Sequence, residues 1–283
     1  MPTPDVTGGP SGSAARPADL QHVVIIMEEN KPASAVLGNA DAPYLNGLAK
    51  EFSLATHYRA ISHPSLPNYL AITGGTTAGI TSDCNPPGGR CQALGANIGD
   101  EIVASGRSWK MYAEGMPAPC SPYNSGLYAV KHNPFLYYPS VTRDPASCAT
   151  HDVPYSRFAH DLATPSTLPS YSFISPDLCN DMHNCSVATG DHWLAREVPQ
   201  ILASPAFMQQ HSLLIITVDE ADSAGNEVLC IFAGPAAKRG YTSSTPYSHY
   251  SILSTIEDAW GLPSLTANDA AAAPMTDMLT GSP

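Results

Sequence analysis

Positive charge is scarce in this sequence: 13 lysines and arginines stand against 25 aspartates and glutamates, a formal charge of −12. That balance excludes the basic surface on which nucleic-acid binders depend. It also repels anionic substrates at long range, unless a bound cation reverses the field locally. Long apolar runs are missing as well. The longest, residues 23–27 and 213–218, are strand-sized, well short of the ~20 residues a membrane helix needs. No Cys-x-x-Cys pair occurs, which argues against a zinc site. No Gly-x-Ser-x-Gly elbow occurs, which argues against a Ser-His-Asp hydrolase. Internal repeats and long linkers are absent. Residues 1–20, rich in Pro, Gly, Ser and Ala, lack the apolar stretch of a signal peptide.

Seven cysteines are present. Cys84/Cys91, Cys120/Cys148 and Cys179/Cys185 are close in sequence and are read, from proximity alone, as disulfides of an oxidising compartment. Cys230, in the apolar run 228–232, reads as a buried free thiol. A secreted or periplasmic protein is therefore expected. Residues 1–20 read as a disordered stem, 21–265 as one folded domain, and 266–283 as a loosely ordered or surface-wrapped tail. Within the domain, short apolar runs alternate with helical segments, the pattern of an α/β fold. Strands are expected at 22–27, 108–113, 171–175, 212–218 and 228–233. Helices are expected at 42–52 (capped by Asp41), 67–72, 96–105, 193–202 and 250–260. Residues 117–154 read as an irregular excursion.

Three of these strands run into acids: Glu28-Glu29-Asn30, Asp177, and Asp219-Glu220. In a parallel sheet, ligands bind beyond the carboxyl ends of the strands, and clustered carboxylate and amide oxygens suit a hard divalent cation. Glu29, Asn30, Asp219 and Glu220 make the best set. Glu28 competes with Glu29, and strand alternation lets only one of them face the site. Ser65, between two prolines and just ahead of a helix, sits where backbone N–H groups favour anions; it needs a base or a metal to become a nucleophile. The loop 177–185, tethered by two cysteines, presents His183, a candidate phosphate ligand or proton donor. His249 directly precedes the last helix. As bare motifs these have plainer readings: Ser65 as a cap, His183 as an idle surface residue, His249 as a core residue.

Taken in order, "HVVIIMEEN", "APYLNGLAKEF", "HPSLPNYLAITGG", "SPDLCNDMHNCSVATGDHWL", "LLIITVDEAD" and "SHYSILSTIEDAWGL" resemble a bacterial and fungal phosphoesterase family. That family holds secreted acid phosphatases and phosphatidylcholine-preferring phospholipases C, within the alkaline phosphatase superfamily. The resemblance implies a single α/β domain with a mostly parallel central sheet and helices on both faces. It implies Glu29, Asn30, Ser65, Asp219 and Glu220 as ligands of one divalent metal, with Ser65 as the nucleophile of a phosphoserine intermediate. His183 and His249 would face the phosphate, and Asn68, Asn30 and Asp191 would contact substrate. Asp177 and Asp191 are candidate ligands of a second cation. The implied substrate is a small phosphate monoester. The rival is a phospholipase C or other diesterase making transient lipid contact through Tyr123, Tyr128, Phe135, Tyr137 and Tyr138. A non-catalytic binding role is disfavoured because Ser65 and all the acids are retained.

Overall fold

Two strands rich in branched aliphatic residues organise the molecule. The computed structural model describes residues 19–222 and 225–281; most of the expected stem, residues 1–18, lies outside them. In chain order the strands are β1 (His22–Glu28), β2 (Ser53–Ala55), β3 (Tyr58–Arg59), β4 (Trp109–Ala113), β5 (Asp152–Pro154), β6 (Tyr171–Ser175), β7 (Ser212–Val218), β8 (Cys230–Ala233), β9 (Tyr241–Ser243) and β10 (Tyr247–Ser248). Eight of them form one sheet in the order β5-β4-β6-β1-β7-β8-β2-β9, and β10 pairs with β3. From β5 to β7 every pairing is parallel, whereas β8 runs antiparallel to both β7 and β2. β1 and β7 are buried at every position. Both faces of the sheet centre are thus covered, as parallel sheets require. The mostly parallel α/β fold expected from the sequence is what forms.

Helix Ser65–Gly74 packs on His249–Trp260, and Pro43–Glu51 packs on Val187–Leu202. Several boundaries differ from the periodicity reading. Ser65 lies in the first turn of its helix rather than ahead of it. The helix expected from residue 193 begins at Val187, where the Ser186 hydroxyl accepts the Thr189 N–H. Asp41 does not cap Pro43–Glu51; the carboxylate of Asp191 accepts the N–H groups of Tyr44 and Leu45 at 3.0 and 2.8 Å. The three-residue strands β2, β5 and β9 are too short to carry a period.

The region 117–154 is less irregular than expected, holding two 3-10 turns, two short helices and β5. Tyr128, Phe135, Tyr137 and Tyr138 are buried in the core, while Tyr123 is 65% exposed. The tail is not loose up to residue 281: Met275, Met278 and Leu279 join the core. Leu20, at the end of the expected stem, is buried, and its carbonyl accepts the Trp260 indole N–H at 2.7 Å.

The three expected cysteine pairs are bridged. Cys84–Cys91 and Cys120–Cys148 each have a Cα separation of 5.9 Å, and Cys179–Cys185 has one of 4.7 Å. Cys185 and Cys179 are both half-buried, and their bridge closes a short loop just ahead of helix Val187–Leu202. Cys230 is free and buried. No helix among the described residues is long and apolar enough to cross a membrane.

Candidate active site

Because β1 and β7 run side by side in parallel, their carboxyl ends deliver Glu29 and the Asp219-Glu220 pair to one place. Asn30 adopts a left-handed φ of 53°, which turns its N–H onto Asp219 Oδ1 at 3.1 Å. The same oxygen accepts the Glu220 N–H at 2.6 Å. Ser65 arrives from the neighbouring helix, its hydroxyl within 3.0 Å of Glu29 Oε2 and 3.3 Å of Glu220 Oε1. Ser65, Glu29, Asp219 and Glu220 are all buried. The structure therefore brings Glu29, Asn30, Ser65, Asp219 and Glu220 together. It also separates the two adjacent glutamates: Glu29 faces Ser65, while neither carboxylate oxygen of Glu28 has a hydrogen-bonding partner.

Burial pushes all these acids up, but their partners divide them. For Glu29, burial is outweighed by His132, Lys131 and the Tyr69 hydroxyl, which bring it down to about 2. Tyr69 donates to Glu29 Oε1 at 2.6 Å. Asp219 is held well above the carboxylate range by burial and by the charges of Glu29 and Glu220. Glu220 is raised by burial, with Glu29 and Asp83 adding to it and His63, in contact with its Oε2, opposing. Glu28 is pushed well up by burial, then by Asp181, Glu29, Glu114 and Asp191.

His132, Lys131, Tyr69 and Asp83, which the sequence motifs do not single out, complete the centre. His132 forms ion pairs with Glu29 at 3.1 Å and Asp181 at 3.2 Å, and its ring stacks on Tyr69 at 5.2 Å. Burial opposes its charge, yet Glu29 and Asp181 raise it to about 9, so it is an imidazolium. Lys131 Nζ lies 2.9 Å from Asp83 Oδ2, 3.3 Å from Ser65 Oγ and 3.4 Å from His183 Nε2. Burial disfavours its charge, but Glu29, Asp83 and Asp219 more than offset that. One signal was available: Lys131 and His132 are the only basic side chains between Lys110 and Arg143.

Other expected roles are corrected. His249 does not face the phosphate site. It is buried, with Nε2 2.7 Å from the Asp219 carbonyl and Nδ1 2.8 Å from the Tyr58 hydroxyl. Since a carbonyl only accepts, Nε2 carries the hydrogen and Nδ1 accepts from Tyr58; burial lowers the imidazole to about 4, so it stays neutral. It is a prop beneath the Asp219 backbone. Asn68 is not free for phosphate: its oxygen accepts Ile61 and Ser62 N–H, and its amide donates to the carbonyls of Ser62 and Pro64. Asp191 caps a helix, as described above. Asp177 accepts the N–H groups of Cys179 and Asn180, so it shapes its own loop rather than adding a third acidic tip. The Leu66 N–H, expected to greet an anion, is taken by Asp83 Oδ1 at 2.9 Å. His183 does reach the site, with Nδ1 2.8 Å from Asn184 Oδ1. The bridge between Cys179 and Cys185 closes the loop that carries it.

The centre fits a divalent cation. Asp219 Oδ2 is buried with no hydrogen-bonding partner, and the carboxylates of Glu29 and Glu220 meet at one serine hydroxyl. Lys131 and His132 offset part of this negative charge, and the remaining oxygen donors suit a hard ion. Among the described residues around Ser65, the donor atoms that lie within 4.8 Å of one another are those of Glu29, His132 and His183.

A model of the phosphoesterase family matches residues 35–263. A phosphatidylinositol-3-phosphatase of Mycobacterium tuberculosis is 38% identical over 91% of this chain and 82% of its own length. A phosphate-repressible acid phosphatase of Penicillium chrysogenum is 36% identical over 81% of this chain; the match covers 57% of its length, so the chain spans little more than half of it. Among solved structures, a protein of the alkaline phosphatase superfamily from Vibrio parahaemolyticus superposes with a TM-score of 0.61. It covers 90% of this chain and 71% of the other at 11% identity, which speaks to the fold alone.

Proposed function

The chain belongs to the phosphoesterase family, and from that premise we propose that it is a secreted, metal-dependent phosphatase that cleaves phosphate monoesters through a phosphoserine on Ser65. The observation that carries this reading is the buried Ser65 hydroxyl held between Glu29 and Glu220, in a carboxylate cluster whose Asp219 has an unpartnered oxygen. Glu29, Asn30, Ser65, Asp219 and Glu220 would hold one divalent ion, which when bound supplies a lower pKa for the serine hydroxyl and neutralises phosphate charge.

The chain's own residues do the rest. Glu29, fixed by Tyr69 and His132, orients Ser65 Oγ. Attack forms the Oγ–P bond and breaks the P–O bond to the leaving group, while the hydroxyl proton passes to a carboxylate it already touches. His183 Nε2, which accepts from Lys131 in the free site, takes up a proton on substrate binding and passes it to the leaving oxygen. Water then attacks the phosphoserine, giving its proton to His183, the P–Oγ bond breaks to release orthophosphate, and the carboxylate returns the proton to Ser65 Oγ.

Both relatives described above are named as phosphatases, which supports a monoester. The phospholipase alternative is weakened because most of the aromatic excursion is core; Tyr123 and Leu127, 65% and 44% exposed, are what is left for transient lipid contact. Three disulfides support an oxidising compartment. The test is hydrolysis of p-nitrophenyl phosphate and its bis-ester, before and after chelation, by the wild type and Ser65→Ala. Monoester turnover should vanish on chelation and fall about a thousandfold or more in Ser65→Ala, with an unchanged melting temperature. Near-normal turnover by Ser65→Ala would remove the covalent step.

A further inference from the structure

The most unusual feature of this acidic chain is a single ammonium placed against the nucleophile. Lys131 Nζ is within hydrogen-bond distance of Ser65 Oγ, and its side chain is only 16% exposed. Asp83 holds it there through a bridge. One carboxylate oxygen takes the Leu66 N–H at the start of the nucleophile helix, and the other takes Lys131 Nζ, both at 2.9 Å. Asp83 is in turn anchored by the loop that the Cys84–Cys91 bridge closes. An ammonium that touches the nucleophile is placed to touch oxygens one bond further out, those of a phosphoryl group on Oγ.

We propose that Lys131, positioned by Asp83, is the phosphate-gripping cation of the site and the residue that selects monoesters over diesters; this rests on the phosphatase reading above. A monoester dianion carries one more ionised oxygen than a diester, so a second fixed positive centre beside the metal favours it selectively. The same ammonium, 3.4 Å from His183 Nε2, places like charge against any second cation held by Glu29, His132 and His183.

The test uses the full chain loaded with Mg²⁺ and compares Lys131→Met, Lys131→Arg and Asp83→Asn with wild type. Calorimetry reads orthophosphate affinity and Mg²⁺ stoichiometry; kinetics read the monoester/diester ratio of kcat/KM. Lys131→Met should weaken orthophosphate by about 10–100-fold and lower the ratio by a similar factor, with the first Mg²⁺ still bound. Lys131→Arg should recover part of both. Asp83→Asn keeps an oxygen for the Leu66 N–H but loses the ion pair; it should raise KM several-fold more than it lowers kcat. Unchanged phosphate affinity and ratio in a folded Lys131→Met would overturn the proposal while leaving the phosphatase reading intact. A wild type that binds orthophosphate through Lys131 but turns over neither ester would keep this assignment and sink that reading.

Discussion

The molecule gathers acids in two places and differs in what it sets against them. Around Ser65, the acids face Lys131 and the imidazolium of His132, and Glu29 is driven down to about 2. Where helices Ile98–Ala104, His249–Trp260 and Ala267–Ala271 meet, Glu101, Glu257 and Asp269 converge. No lysine, arginine or histidine forms an ion pair with them among the described residues. There burial first, then Asp269 and other acids, raise Glu101 to about 7 and Glu257 to about 8. The lesson is that crowding alone does not make a cation site. A cluster without fixed cations relieves itself by keeping protons. The site cluster keeps at least one full negative charge in place.

The largest effect expected from this contrast is at Glu29. Glu29→Gln keeps the shape and hydrogen-bonding reach of the side chain but removes the charge that orients Ser65 and pairs with His132. Monoester kcat/KM should fall about a hundredfold or more, with weaker Mg²⁺ binding in a calorimetric titration. Wild-type affinity and turnover in this variant would erase the distinction between the two clusters.

Much of the site cluster is legible in the order of amino acids alone. The strand runs 22–27 and 212–218 are strongly patterned, and acids at parallel strand ends converge by topology, so Glu29, Asp219 and Glu220 can be read directly. Ser65 is legible through its prolines and the helix behind it. The cysteine pairs, Cys179 with Cys185 among them, are legible because short separations leave each cysteine one near neighbour. Partners fixed by long-range packing are not. Lys131 and His132 sit on a 3-10 turn with no periodicity, inside a segment whose aromatics pack as core. Asn68, Asp191 and His249 mislead for a related reason. Each is polar and near the motifs, but each spends its hydrogen bonds inside the fold: Asn68 on the backbone of residues 61–64, His249 on the Asp219 carbonyl and the Tyr58 hydroxyl, Asp191 on a helix N-terminus. The partner is 30 residues away for His249 and 146–147 for Asp191. Residue type shows what a side chain can bond; only the fold shows what has already bonded it.

A smaller effect is expected at the second cluster, and its sign follows from linkage. Glu257 has a folded-state value near about 8, above its ordinary 4.5. Stability is therefore full below the unfolded value and is lost as pH climbs from about 4.5 towards 8, because the unfolded chain releases its proton first. Glu101, near about 7, acts in the same direction, and Asp100 and Asp269 supply the repelling charge. Solvent on the open side screens part of this. Glu257→Gln should thus leave the melting temperature unchanged at about pH 5 and raise it by about 2–4 °C above about pH 8. Phosphatase activity should not change. Destabilisation at high pH would mean that Glu257 is ionised and usefully paired.

The smallest effect is expected at Glu28, which tests whether the contrast follows position or partners. Glu28 adjoins Glu29 and is equally buried, so by location it belongs to the site. Its partners say otherwise: both oxygens lack a donor, and the charges acting on it are those of other acids, Asp181, Glu29, Glu114 and Asp191. Burial and these acids push its carboxyl well up, toward the neutral form, as burial and other acids do that of Glu257. Gln copies that neutral group in size, and swapping one partnerless neutral side chain for another leaves no charge stranded. Glu28→Gln should keep kcat/KM for p-nitrophenyl phosphate within about twofold and, at about pH 5, change stability by no more than roughly 0.5–1 kcal/mol. A loss on the scale of Glu29→Gln would show that the Glu28 carboxylate is ionised and serves the metal. The strand tip would then contribute two charges rather than one.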